Sequence, residues 1–594
     1  MYEGGDYNGL LILPPESKNG DDIKPLLGLD DYIFDISITA NRPDCQSVLG
    51  IAREVAAVLG KKLKEPDCSY TAVNCGDKVK ISDLAPEVCP RYIGHLVKDV
   101  KNVPTPAYMK RRLALSGIRS ISCIVDITNY VLLEMGQPMH AFDFGKLEGG
   151  EIIIRRAENG EKITTLDNNE FTLKSDNLVI CDAKKPCALA GIMGGLNSEI
   201  TDETKDVLFE CAKFARDSVR KTARALGQHS DSSALFEKGV NEYTVEKAMQ
   251  RALHLIEELK CGTVTSVHVD VKTKYSNSDR KKLTVSAQKI NSLLGIEVPV
   301  EKMTKILKDL NFGVQTDGDA INLTVPAYRE DIDGFPDIAE EIIRFYGYDN
   351  IEGTFLPSAT ITNGGYNEEQ KAENKLKNML VGKGLYEIST YSFYSVKDLD
   401  MLHYPEDCAE RKTIKILNPI SEELSVMRTT LAPSMINTVV RNLRRGNMQG
   451  KLFELAKVYL PEELPLKSFP EEKKRLCISA WGKSDFFEVK GIVECVAKLL
   501  NTSFEFESAE KPFLHPGMTA KISCDGEEIG YMGVLAPTVA TELAIDRAVV
   551  IAELDYEELK KHAKPFRYVP IPKFAEVTRD LALVCEQNIT CGEI

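Results

Sequence analysis

The sequence has 594 residues, a formal charge of −15, 43% hydrophobic residues and 27% charged residues, the makeup of a globular protein of several domains of ~150 residues each. That acidity excludes a chain that coats nucleic acid non-specifically, and no 18-residue apolar run marks a membrane span. The 15 cysteines form no CxxC pair, which argues against zinc, and apolar settings such as RLCISAW around Cys477 and LALVCE around Cys585 read as buried thiols in a reducing cytoplasm.

The first residues, MYEGGDYNGLLILPPE, carry no basic leader and are not a secretory signal. Residues 1–75 read as a strand, a loop and a short helix in LLILPPESKNGDDIKPLLGLDD, then a helix in ITANRPDCQSVLGIAREVAAVLGKKL. Pro43 and Asp44 mark that helix's start, and Val48, Ile51, Ala52, Val55 and Leu59 give it an apolar face. Residues 76–274 form a large α+β unit. Strand-like runs (RYIGHLVKDV, GEIIIRRA, NLVICDA, DVLFECA) alternate with the helices SVRKTARALG and EYTVEKAMQRALHLIEELK. Gly194 and Gly195 permit a tight turn or close approach by a ligand.

Residues 275–355 read as a small winged-helix-like module: helices in KKLTVSAQKINSLLG and PVEKMTKILKDLNF, a strand in INLTVPAYR, and one further helix. Residues 356–562 give antiparallel strands flanked by helices, among them EEQKAENKLKNMLVGKGL, KLFELAKVYL and EEIGYMGVLAP. Residues 563–594 end in a strand, DLALVCE, and a helix start, ITCGEI, which cannot bury a core alone. The fold class expected is multidomain α+β. Two basic clusters, Lys213/Arg216/Arg220/Lys221/Arg224 and Arg441/Arg444/Arg445/Lys451, read as solvated helix faces before they read as contact patches.

The stretch PAYREDIDGFPDIAEEIIRFYGYDN concentrates carboxylates at Asp331, Asp337, Glu340 and Glu341. Pro336 suits a first helical turn, and positions 337, 340 and 341 then share one face. Hard oxygens so gathered suit Mg²⁺, which takes one or two carboxylates and keeps several waters. The same acids also read as ordinary first-turn groups that favour the helix dipole.

Several segments in order carry a family resemblance. T-x-N-R-P-D-C-x-S-V-x-G-I-A-R-E, R-x-D-I with D-I-x-E-E, NPIS-x-E-x-S-x-MR-T-x-L, LFE, DFF-x-x-KG, LHPG and P-x-F-x-x-V-x-RDLALV together resemble the beta chain of bacterial phenylalanyl-tRNA synthetase. The resemblance implies that most of an N-terminal tRNA-binding domain and most of a C-terminal ferredoxin-like anticodon-binding domain are missing. It implies a structural Mg²⁺ on Asp331, Asp337, Glu340 and Glu341 at the contact with an alpha subunit. It implies an alpha-2 beta-2 tetramer in the cytoplasm that binds tRNA, with neither DNA nor membrane as partner, and ATP and phenylalanine bound by alpha.

Residues 356–562 then correspond to a synthetase-like core of class II that does not catalyse. LFELAKVY has no arginine ahead of Glu454, and IGYMGVLAPTVATEL keeps Gly530 and Gly533 but has no arginine before Arg547; triphosphate charge needs such cations. No G-x-S-x-G marks a serine hydrolase. Residues 76–274 correspond to an editing domain that hydrolyses tyrosine wrongly attached to tRNA. The matching positions are Thr128 and Asn129 in VDITNYV, Pro138 and His140 in GQPMHAFD, Ala190 and Gly191 in ALAGIMGG, and Glu210 in LFECAKF. A phenylalanine site rejects tyrosine poorly, whereas a buried polar group selects the hydroxyl because phenylalanine leaves it unpaired, at ~1–3 kcal/mol. Glu210 is the expected phenol reader, His140 and Thr128 position the ester or water, Ala190 and Gly191 shape the pocket through small side chains and backbone N–H groups, and Asn129 and Pro138 complete its lining. From the residues alone, His140 also reads as a core histidine and Glu210 as an ion-pair member. A free-standing editing hydrolase and a nucleic-acid scaffold are the competing functions; a silent core whose use is to bury surface against an alpha subunit separates them from the synthetase reading.

Overall fold

The computed structural model describes residues 13, 17–277, 279–355, 364–587, 589 and 594. They fall into two compact units, Met1–Pro357 and Ser358–Ile594. The strand expected at residues 10–13 and the helix start at 589–594 lie largely outside the described residues.

The first unit opens with α1 (Ile23–Leu27) and α2 (Val48–Leu59). Ser47 caps α2 by accepting from Gly50 N. A Cβ at Gly50 would stand 1.9 Å from the Asp44 carbonyl oxygen, so the Pro43–Asp44 turn closes only over glycine. The expected apolar face of α2 is corrected. Val48, Val55 and Leu59 are 66%, 49% and 62% exposed, and the helix packs through Leu49, Gly50 and Ala57 instead. Gly50 takes the contact at the helix start because the turn before it lies so close.

Next come β1 (Lys80–Asp83), β2 (Arg91–Lys98), α3 (Ala107–Leu115), α4 (Cys123–Met135), β3 (Met139–Asp143), β4 (Glu151–Arg156), β5 (Lys162–Thr164), β6 (Glu170–Thr172), β7 (Leu178–Cys181), β8 (Pro186–Leu189), β9 (Met193–Gly194), β10 (Val207–Lys213), α5 (Arg216–Leu226), α6 (Asp231–Lys238), α7 (Glu242–Leu259) and β11 (Thr263–Lys272). One sheet runs β1-β4-β7-β8-β9 and another β11-β2-β10-β3, the latter antiparallel throughout. Alternation along β10 splits its residues between two cores. Phe209 and Cys211 join α4 and α7, while Leu208 and Ala212 face the five-stranded sheet and α5.

The unit closes with β12 (Lys282–Ser286), α8 (Ala287–Leu294), α9 (Val300–Asp309), β13 (Gly313–Asp317), β14 (Ala320–Thr324) and α10 (Phe335–Tyr346), whose sheet order is β12-β14-β13. Lys282–Ser286, read as helix from the sequence, is a strand paired with Ala320–Thr324; Ser286 then caps α8 by accepting from Lys289 N. The Leu283–Thr284–Val285 alternation found a partner strand, and pairing overrode the helical spacing that follows it.

The second unit contains α11 (Glu368–Gly382), β15 (Tyr386–Glu387), β16 (Phe393–Tyr394), α12 (Val396–Met401), β17 (Val426–Met427), α13 (Ala432–Arg444), β18 (Gly450–Leu460), β19 (Glu471–Trp481), α14 (Phe486–Leu499), β20 (Glu505–Ser508), β21 (Leu514–Cys524), β22 (Glu527–Leu535), α15 (Pro537–Glu542), β23 (Val549–Asp555) and α16 (Tyr556–Lys561). Its sheet runs β15-β18-β19-β23-β22-β21-β20, antiparallel except for the short parallel β15–β18 edge. Helix α13 lines the core on one side and α14 the core on the other. DLALVCE forms no strand among the described residues. Leu581 and Val584 are 83% and 104% exposed; with no neighbouring strand, its N–H and C=O groups have no ladder to join. No described helix is long and apolar enough to cross a membrane.

Candidate functional site

The most unusual side chain of the four-stranded sheet is Glu210, a carboxylate in the middle of an otherwise apolar strand. In register it sits between Gly94 on β2 and His140 on β3. It shares the face of Leu208 and Ala212, and only 7% of it is exposed. Its Oε2 accepts a hydrogen bond from Tyr92 Oη at 2.6 Å. Burial pushes the Glu210 carboxyl up to about 7, against the pull of the Tyr92 hydrogen bond. Burial likewise drives the Tyr92 phenol well above its usual range, so it stays a donor.

His140 lies beside Glu210 on the same face. Its ring meets Phe142 edge-on, 4.5 Å between centroids. Burial lowers it to about 4, so it is neutral at physiological pH. A Cβ on Gly194 would stand 2.4 Å from His140 Cε1. The close approach that this glycine allows is therefore made by the protein's own histidine.

The remaining residues predicted for this site are placed less directly. Ala190 belongs to the same core, but its N–H is spent on the Leu178 carbonyl at 3.1 Å, so it offers no free donor, contrary to the sequence expectation. Gly191 has φ +69 and is hemmed in by Phe236, Phe214 and Val219, all 3.0–3.2 Å from where its Cβ would be; a larger residue is excluded there. Pro138 is buried, and its carbonyl accepts from Gln137 Nε2 at 3.1 Å. Thr128 Oγ1 donates to the Val125 carbonyl within α4 at 2.7 Å, and that helix sends its buried apolar residues to the opposite core. Neither Thr128 nor partly exposed Asn129 hydrogen-bonds Glu210 or His140 among the described residues.

Sequence reasoning missed Tyr92 and Gln137. Gln137 is fully buried. Its Nε2 also donates to the Ala212 carbonyl at 2.9 Å, while its Oε1 has no partner. The Gln-Pro pair ahead of His140 was the available signal. Tyr92 had none, because its partner comes from a strand far along the chain.

The carboxylate stretch is built differently from the expectation. Arg329 grips Asp331 with two hydrogen bonds at 2.8 Å and Glu341 with a third at 2.9 Å. Arg344 donates to the other Glu341 oxygen at 2.5 Å and to Glu54 at 2.6 Å. Arg42 bonds Asp44 and Glu54 and stands 3.7 Å from Glu341. Burial raises Glu341, but the Arg329 and Arg344 guanidinium groups outweigh it and hold the carboxyl below its usual range. Asp337 Oδ2 accepts from the N–H groups of Asp333 and Gly334, both at 2.8 Å, which caps the helix start. Glu340 is exposed and has no hydrogen-bond partner among the described residues. The groupings of potential metal ligands among the described residues include none of the four. Glu340 and the free oxygen of Asp337 are hard donors one turn apart and fit Mg²⁺; Asp331 and Glu341 are committed to guanidinium groups and do not.

In the second unit, buried Glu454 does have an arginine partner. Arg428, from the MRTTL segment, lies 3.3 Å away, and Thr390 donates to Glu454 from N and Oγ1. Glu553, 1% exposed, accepts from Thr430 Oγ1 at 2.6 Å, Leu431 N at 3.2 Å and Tyr531 Oη at 2.9 Å. Arg475 Nη1 stands 3.3 Å from Glu553, so each of the two buried carboxylates has its own guanidinium partner. A Cβ on Gly530 would sit 2.2 Å from the Glu553 carbonyl oxygen, and one on Gly533 2.8 Å from Thr519 Oγ1; strand packing alone accounts for both glycines. The basic cluster at Arg441, Arg444 and Arg445 lines a groove of about 1520 Å³ together with Lys397 and Glu422. On α5, Arg216, Arg220 and Arg224 are exposed.

The matching family models and the sequence relatives agree with one another. Residues 88–261 match the family described as B3/4 domain, 283–348 the tRNA synthetase B5 domain, and 353–556 the phenylalanyl tRNA synthetase beta chain CLM domain. The chain is 41% identical over 602 residues to the phenylalanine–tRNA ligase beta subunit of Clostridium tetani, covering 100% of this chain and 75% of that one. It is 42% identical over 601 residues to that of Carboxydothermus hydrogenoformans, covering 98% and 74%. A crystal structure of an N-terminal fragment of the phenylalanyl-tRNA synthetase beta subunit from Pyrococcus horikoshii is 19% identical over 52% of this chain and 86% of that one, with a TM-score of 0.30.

Proposed function

The chain belongs to the phenylalanine–tRNA ligase beta-subunit family, and from that premise we propose that it is the non-synthetic subunit of a heteromeric ligase and hydrolyses mischarged tyrosyl-tRNA. The observation that carries the hydrolytic part is Glu210: a buried carboxylate already hydrogen-bonded to a phenol at 2.6 Å, with neutral His140 as its neighbour across the strands.

The division of labour follows. Residues 76–274 form the editing domain, 275–355 a winged-helix-like module, and 356–562 a class II-like core whose buried charges are mutually satisfied and leave ATP and phenylalanine to the alpha subunit. Residues 1–75 supply the linking helix α2 ahead of the editing domain. The assembly is an alpha-2 beta-2 tetramer in the cytoplasm, and tRNA is the shared substrate.

In the editing reaction, water attacks the ester carbonyl of tyrosyl-tRNA, the bond from that carbon to the ribose oxygen breaks, and the ribose oxygen takes a proton. Neutral His140 accepts the proton from the water and returns it to the leaving oxygen. Glu210 binds the substrate phenol. Ala190, Gly191 and Pro138 limit the room around the side chain, and Thr128 and Asn129 hold the ester end. Phenylalanyl-tRNA escapes because its ring leaves Glu210 unpaired, at ~1–3 kcal/mol. Mg²⁺ at Asp337 and Glu340 would neutralise charge where α10 meets the alpha subunit. The arginine-clamped Asp331 and Glu341 hold that helix in place.

Co-expression with an alpha chain tests the proposal: association and phenylalanine charging are expected. A chain that neither associates nor supports charging is not this subunit.

A further inference from the structure

Glu210 already has a phenol for a neighbour, and that neighbour uses only one of its two oxygens. Tyr92 lies two residues from Gly94, the residue directly across from Glu210. Its side chain therefore falls diagonally beside Glu210 on the same face of the sheet. It is 1% exposed, and its Oη donates to Glu210 Oε2. Glu210 Oε1 accepts no hydrogen bond from any described residue, and 7% of the residue remains exposed. Directly across from Glu210, Gly94 carries no side chain, and Ile81 Cδ1 fills the place a Cβ would take, 2.5 Å away.

We propose that Tyr92 is a positioning residue for phenol selection: its hydroxyl holds Glu210 Oε2 and so presents Oε1 as the one acceptor for the side-chain hydroxyl of a bound tyrosyl ester. The inference rests on the editing reading of the site. A carboxyl held at one oxygen keeps a fixed orientation, and the other oxygen then discriminates by its own unmet hydrogen bond. Released at both oxygens, the group turns to whatever donor is near, water included, and loses that discrimination. The resident pair also tunes the group, because the Tyr92 bond opposes the upward push of burial.

The test uses the chain assembled with its alpha subunit and preformed tyrosyl- and phenylalanyl-tRNA. Tyr92→Phe keeps the ring and removes only Oη. The expected result is a fall of about tenfold in the preference for the tyrosyl over the phenylalanyl ester, with the neutral-pH limb of the hydrolysis profile moved upward. A folded Tyr92→Phe complex with unchanged preference and unchanged pH profile overturns the inference. If Tyr92→Phe does not fold, a difluorotyrosine in place of Tyr92 keeps the packing and strengthens the donor; the limb must then move downward, and no movement overturns the inference. Glu210→Gln separates the two levels. Loss of hydrolysis there with a silent Tyr92→Phe removes Tyr92 alone. Wild-type complex that does not hydrolyse tyrosyl-tRNA, or Glu210→Gln that hydrolyses it normally, removes the editing reading and Tyr92 with it.

Discussion

Arg329 donates to Glu341 at 2.9 Å, and this buried pair ties the loop before α10 to the helix itself. The same guanidinium holds Asp331, and Arg42 reaches Glu341 from the NRPDC segment. Two stretches that the sequence keeps far apart thus meet in one ionic network. Removing one partner of such a pair leaves a buried charge uncompensated. Glu341→Gln is expected to cost ~3 kcal/mol, read as a loss of stability in urea. Because the guanidinium groups hold Glu341 below its usual range, its contribution is present above that range and is lost as pH falls through the depressed value. The wild type should therefore lose more stability than Glu341→Gln on acidification below about pH 5. Equal acid sensitivity contradicts the assignment.

Glu210 has the opposite sign. Its carboxyl is raised to about 7, so the folded state keeps its proton where the unfolded state has lost it. Stability from this group is full below the unfolded value and is lost as pH rises towards 7. Glu210→Gln, which mimics the protonated acid, should flatten the difference in thermal midpoint between pH 5 and pH 8. A wild type equally stable at both pH values refutes the raised carboxyl.

Gly194 leaves room for the His140 ring. Gly194→Ala puts a methyl 2.4 Å from Cε1 and should cost ~1–3 kcal/mol by overpacking. Tyrosyl-tRNA hydrolysis should fall as the ring moves. Full activity with unchanged stability means that the histidine is not held there.

In the second unit, Gly530→Ala places a methyl 2.2 Å from the Glu553 carbonyl oxygen. It should destabilise the unit by ~2 kcal/mol or more. Calorimetric titration of the chain without its partner is expected to show no ATP binding, since Arg428 is committed to Glu454. Measurable ATP affinity contradicts the silent core.

For the metal, Asp337→Asn with Glu340→Gln should weaken Mg²⁺ binding and association with the alpha subunit, while Asp331→Asn acts on stability alone. An equal loss of Mg²⁺ from all three positions would mean that the guanidinium clamp opens in the assembly.

Strands β2, β4, β7 and β10 were legible in the sequence because apolar runs mark buried strands, whereas β3 and β11 carried no such signal. The face of α2 differs from its apolar pattern because Gly50 meets the turn at Asp44, while Leu49 joins the core of α4 and α7 and Ala57 that of α8, α9 and α10. Glu210 and His140 were found through family motifs, and strand register then put them side by side. Tyr92 could not be found that way, since a diagonal neighbour across two strands leaves no local pattern. The carboxylates are visible in the sequence, but the fold decides which arginines reach them, so the four resolve into two ion-paired acids, one cap and one carboxylate without a partner among the described residues.

The central claim is that Glu210 reads the phenol of a mischarged ester. The most direct measurement is hydrolysis of preformed tyrosyl-tRNA by the chain assembled with its alpha subunit, wild type against Glu210→Gln. The account predicts rapid hydrolysis by the wild type and a loss of about tenfold or more in the variant; equal rates, or no hydrolysis by either, would contradict it.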